Sequence, residues 1–118
     1  MTQRVLNINN TQIVSGTEIM TPGEGGEHTR LLWVSVPSFA SQPDITISIY
    51  SDETESNPYP PGKSNPGTTF APWSIQYIPQ GGAGGMDLIA ISATNTDVGA
   101  PSPVQVVCSY LAIGDEIT

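Results

Sequence analysis

The chemistry open to this chain is limited first by its single histidine and single cysteine, His28 and Cys108. Zinc sites built from several His and Cys ligands are excluded by that count, and no paired-cysteine spacing occurs. A Cys–His couple would have to join His28, in a glycine-rich stretch, to Cys108, inside an apolar run where nothing activates a thiol. Cys108 reads instead as a small buried hydrophobe in a reduced protein. A Ser–His–Asp arrangement would need the same His28, and no Gly-x-Ser-x-Gly elbow is present. Asp52, Glu53 and Glu55 could supply the two carboxylates of a hydrolase, but acids gathered in a proline-rich stretch read as a solvated run. Asp52, Glu53, Asp87 and Asp97 are hard oxygen ligands suited to calcium, without the order of an EF-hand loop. The glycines between Gly81 and Gly85 lack the Lys-Ser/Thr of a phosphate loop, and a strand rather than a helix follows them. The expectation is a protein that is not an enzyme, with no cofactor and no metal site.

Whatever these residues do, strands must position them. Between Asp44 and Tyr50, Ile45, Ile47 and Ile49 alternate with Thr46, Ser48 and Tyr50, the period-two pattern of a strand covered on one face. In Leu31–Val36 both registers are apolar except for Ser35. In Val104–Ile113 the register of Val104, Val106, Cys108, Tyr110 and Ala112 competes with that of Val107, Leu111 and Ile113. Such strands are central, or covered by another subunit as well as by their own core. Strands are expected at Gln3–Ile8, Thr11–Ser15, Thr29–Val36, Ile45–Ser51, Trp73–Ile78, Met86–Thr94 and Val104–Ile113. Pro79–Gly85 reads as a hairpin loop and Thr21–His28 as a glycine-rich connection. The Pro/Gly-rich stretch 52–72 is the longest connection, with Tyr59 and Phe70 as its possible anchors.

Composition agrees with this layout. The chain has 118 residues, 12 Gly and 11 Pro, and no sustained apolar spacing at helical period, which predicts one all-β domain over residues 1–118 with almost no helix. Three basic residues, Arg4, Arg30 and Lys63, face 11 acidic ones for a formal charge of -8, which argues against nucleic acid and against anionic membrane surfaces. No segment approaches the ~20 apolar residues of a membrane span, and the first ten residues lack a secretory leader. Cytosolic production is the expectation, with incorporation into a virion as one possible destination.

Several pieces, taken in order, resemble the H-type lectins, the group of the snail agglutinin that binds N-acetylgalactosamine. Ile13-Val-Ser-Gly-Thr17 is similar to that family's opening strand and Ser-Gly turn. Thr29-Arg30 with its apolar strand, the Pro37–Pro43 corner, Ile45–Ile49 and Trp73–Ile78 follow the family's order. Met86–Thr96 and Cys108-Ser-Tyr-Leu-Ala-Ile-Gly114 close the sequence as that family does. The resemblance covers Thr11 to Gly114 and implies a small antiparallel β-sandwich of six to seven strands, assembled as a homotrimer, with carbohydrate bound near protomer boundaries. Similar modules occur on phage tails and other virion appendages. The family's sugar-binding acid falls on Glu27 and its strand-start Arg on Trp73, while its Trp-His pair falls on Ala93 and Thr94. The resemblance therefore implies a rebuilt carbohydrate site of Glu27, His28, Trp73, Thr94 and Asn95, with Trp73 as the apolar face and Asn95 or Asp97 recognising hydroxyls. Trp73 could equally pack beneath the long loop. Two functions compete: a lectin-like recognition or attachment module, and a structural subunit of a phage or virion appendage that binds no sugar.

Overall fold

The computed structural model of the chain describes residues 3–23, 26–52, 70–95 and 105–117, and the side chains of residues 3–21, 29–49, 74–94 and 106–117. The chain forms an all-β sandwich of two antiparallel sheets. The strands are β1 (Gln3–Ile8), β2 (Thr11–Ile19), β3 (Thr21–Gly23), β4 (Gly26–Val36), β5 (Asp44–Asp52), β6 (Phe70–Ile78), β7 (Asp87–Asn95) and β8 (Gln105–Asp115). Sheet I has the order β1-β2-β8-β5 and sheet II the order β3-β4-β7-β6. Seven of these strands match the expected ones; β3 is an added three-residue strand. The only helical piece among the described residues is the 3-10 turn Ala83–Gly85 in the β6–β7 hairpin, and no described helix is long and apolar enough to cross a membrane.

The inner register of each strand makes the core. Val14 of β2, Leu32, Val34 and Val36 of β4, Ile89, Ile91 and Ala93 of β7, and Val106, Cys108, Tyr110 and Ala112 of β8 are buried between the sheets. Ile45, Ile47 and Ile49 of β5 pack against them, as their alternation predicts. The two ambiguous strands thus resolve: β8 turns Cys108 inward and leaves Leu111 and Ile113 exposed, while β4 turns Val34 inward and Trp33 outward.

Turns follow from local chemistry. β1 and β2 pair from Ile8↔Thr11, so Asn9 and Asn10 form a two-residue hairpin loop, and both take positive φ, 51° and 66°. Tight hairpins need this left-handed backbone, which Asn tolerates better than most side chains. The expected Pro37–Pro43 corner carries the chain from sheet II to sheet I, with Phe39 buried edge-on against Tyr77 at 6.3 Å. Gly114 lies against that corner, where an added Cβ would come within 2.9 Å of the Phe39 ring and 3.0 Å of Pro43.

Two placements correct the sequence reading. β4 begins at Gly26, so Glu27 and His28 belong to a strand and not to the loop before it. The stretch 52–72 is shorter as a connection than expected, since Asp52 ends β5 and Phe70–Pro72 begin β6. Tyr59, Glu53, Glu55, Lys63 and Asp97 lie outside the described residues.

Candidate functional site

The register of sheet II gathers the backbones of the five expected site residues. Thr29 pairs with Thr94, Ala71 with Thr94 and Phe70 with Asn95, and the ladder shifts between Pro72 and Ser74, where Trp73 sits. Glu27 and His28 precede Thr29 in β4. All five therefore come to one end of three adjacent strands. The side chains of Glu27, His28, Trp73 and Asn95 lie outside the described ones; Thr94 is half-buried on the outer face of the sheet.

The position that corresponds to the lectin family's Trp, Ala93, is fully buried and faces the core. Its cross-strand neighbour Arg30 is also buried, and its guanidinium donates to the Thr29 carbonyl at 3.4 Å. A sugar cannot stack at Ala93, so any rebuilt site must use the other face, on which Thr94 and Thr29 lie.

Asp87, one of the acids whose oxygens would suit calcium, has its carboxylate committed to the fold. It is buried at the opposite end of β7, and its carboxylate is surrounded by donors. Ser38 Oγ donates to Oδ1 at 3.0 Å and the Gln80 amide at 2.9 Å; the Phe39 amide donates to Oδ2 at 3.2 Å and the Tyr77 hydroxyl donates to the same oxygen. A cation would need those lone pairs, which hold the corner and the β6–β7 hairpin to the sheet. Among the described residues no group of three or more His, Cys, Asp or Glu could hold a metal ion. Cys108 is fully buried, and burial pushes its thiol up to about 11, so the thiolate that chemistry would require is disfavoured.

The residue the sequence reading passed over is Trp33. Its indole is 72% exposed on the outer face of sheet II. Across the ladder its row continues through Ala90 to Gln76, whose small and flexible side chains leave the ring uncovered. The adjacent row runs Thr21, Leu31, Ser92 and Ser74, and the next pairs Thr29 with Thr94. A depression of about 260 Å³ lined by Thr21, Leu31, Leu32 and Trp33 opens beside the indole. Among the described residues this face carries no Asp, Glu, Lys or Arg, in a chain of formal charge -8. An exposed ring with Leu31, Leu88 and Ile78 near it on the same face, and with Ser35, Ser74, Ser92 and Gln76 as its polar neighbours, without charge, suits a neutral ligand that presents a C–H face to the ring and hydroxyls beside it. The only sequence signal was that both registers of Leu31–Val36 are apolar, which does not say which of them faces water.

Compared with models of protein families, with curated proteins and with solved structures, the chain matches none.

Proposed function

We propose that this protein is a non-enzymatic, lectin-like recognition or attachment module that binds neutral carbohydrate on the outer face of sheet II. The exposed Trp33 indole on an uncharged sheet face carries this reading. Gln76 stands in its own ladder row, Ser92 and Ser74 in the next and Thr94 in the one after, as partners for ligand hydroxyls, and the end of the sheet that holds Glu27, His28, Trp73 and Asn95 borders the same face. A sugar ring that removes ~80 Å² of indole from water gains about 2 kcal/mol, roughly thirtyfold in Kd. Single sites of that strength are weak, so display of several copies in a homo-oligomer would supply avidity.

The test is a titration of a bound oligosaccharide into three forms of the protein. Trp33→Ala should weaken binding by tenfold or more while leaving Tm within about 2 °C, because the ring buries little in the fold. Trp73→Ala separates the two aromatic candidates: loss of binding only in Trp73→Ala would move the site to the end of the sheet. Unchanged affinity in both variants would defeat the proposal. The second reading, a structural subunit of a phage or virion appendage, is favoured by one specific observation, the exposed apolar outer face of sheet I.

A further inference from the structure

Sheet I exposes an apolar stripe whose surroundings are charged asymmetrically. Facing outward, Leu6 of β1, Ile13 of β2 and Ile113 of β8 stand opposite one another in one row, which ends at Asp44 of β5. The adjacent row runs from Arg4 of β1 through Ser15 and Leu111 to Thr46 of β5. Leu6, Ile8, Leu111 and Ile113 are all exposed, Leu6 by 53%. Arg4 is the only exposed Lys or Arg among the described residues; Arg30 is buried and Lys63 lies outside them. The face therefore has a cation on one edge strand, an acid on the opposite edge strand, a second acid, Asp115, at the end of β8 in the row of Ile8 and Thr11, and Leu6, Ile13, Leu111 and Ile113 as its apolar part.

We propose that this face binds a second copy of the chain, face to face, about a two-fold axis parallel to the strands. That symmetry lays β1 of each copy over β5 of the other, and β2 over β8. Arg4 of one copy then lies over Thr46 of the other and one ladder step, about 7 Å, from its Asp44, within reach of a guanidinium. An in-plane axis across the strands would instead stack β5 on β5, bringing Asp44 towards Asp44 and leaving Arg4 without an acid. The two-fold along the strands is the self-complementary choice, and each contact occurs twice.

The condition of β1 points the same way. All six of its residues are exposed: apart from the Gln3 amide, which donates to the Ser35 carbonyl and the Tyr110 hydroxyl, the strand is held by its ladder with β2, and its outer face is uncovered. A second copy covers that face, with Arg4, Leu6 and Ile8. Four strands at ~4.8 Å and about six residues at ~3.4 Å give a flat footprint on the order of 400 Å², below the ~800 Å² per partner of a standard interface. The dimer is consequently reversible, with a Kd in the micromolar range or weaker. It does not depend on the glycan reading, but joins it: the two outer faces of sheet II would point in opposite directions, so one dimer would bridge two ligands.

Sedimentation velocity from low micromolar to several hundred micromolar protein tests this. The wild-type protein should pass from monomer to dimer. Arg4→Asp and Asp44→Arg should each weaken association by about three- to tenfold, and the double reversal should regain most of it. Ile113→Glu, in the centre of the face, should abolish the dimer. Should that variant fail to fold, the charge reversals on exposed edge-strand positions still decide the matter. A monomer at every concentration, a trimer, or a double reversal no better than the single ones would overturn the proposal.

Discussion

Four donors converge on the Asp87 carboxylate, so its chemistry is fixed by what surrounds it. Asp87→Asn would replace one acceptor oxygen by an amide that opposes two of those donors. A loss of about 3 kcal/mol is expected, or roughly 10 °C in Tm. Tyr77→Phe removes a single donor and should cost about 1 kcal/mol; equal losses from the two substitutions would show that the carboxylate is not the hub. Cys108 makes a prediction about pH. Burial holds the thiol proton up to about 11, against an ordinary value of 9.0 for a free thiol. Between those values the folded state binds more protons than the unfolded one, so this contribution is complete below pH 9 and is lost as pH rises towards 11. The loss amounts to about 2–3 kcal/mol at most. Burial also raises the Tyr110 hydroxyl from its ordinary value of 10.0, partly opposed by the Gln3 hydrogen bond, and acts in the same direction. Denaturant unfolding of the wild type and of Cys108→Ala at pH 8 and about pH 10.5 should show a smaller alkaline loss in the variant, and a parallel loss in both would remove Cys108 as the cause.

At the level of elements, the strands followed from alternation wherever one register was clearly apolar, as in β5, and from β-branched runs bounded by Gly and Pro elsewhere. What alternation could not reveal was direction. β4 and β8 are apolar on both faces, and only pairing with β7, β2 and β5 decides that Val34 and Cys108 turn inward while Trp33, Leu111 and Ile113 do not. That Asp87 is a structural hub was not legible, because Ser38, Phe39, Tyr77 and Gln80 reach it only after the corner and the hairpin fold. The backbones of the five residues implied by the resemblance come to one end of sheet II, whereas the Ala93 position is core, because residue parity along β7 follows Ile89 and Ile91 inward. Two turn positions carry element-scale predictions. Asn10 holds φ 66° in the β1–β2 turn, so Asn10→Gly should be neutral or stabilising by a few tenths of a kcal/mol and Asn10→Val should cost about 1–2 kcal/mol. Gly114→Ala should destabilise by about 1–3 kcal/mol because its Cβ would meet Phe39 and Pro43; a neutral result would mean that the corner moves aside.

For the molecule as a whole, the two outer sheet faces divide the work. Sheet I presents an apolar stripe with Arg4 on one edge strand, Asp44 on the other and Asp115 at the end of β8, the surface proposed for another copy; sheet II presents an exposed indole on an uncharged face of mixed apolar and hydroxyl side chains, the surface proposed for a ligand from outside. The buried charged and thiol groups, Asp87, Arg30 and Cys108, belong to the architecture between them. The central claim is that the uncharged Trp33 face recognises carbohydrate, and a glycan-array screen of the purified protein tests it most directly. The account predicts binding to neutral oligosaccharides that is lost on Trp33→Ala, whereas an array without a hit, or hits confined to sulfated or sialylated glycans and indifferent to Trp33, would contradict it.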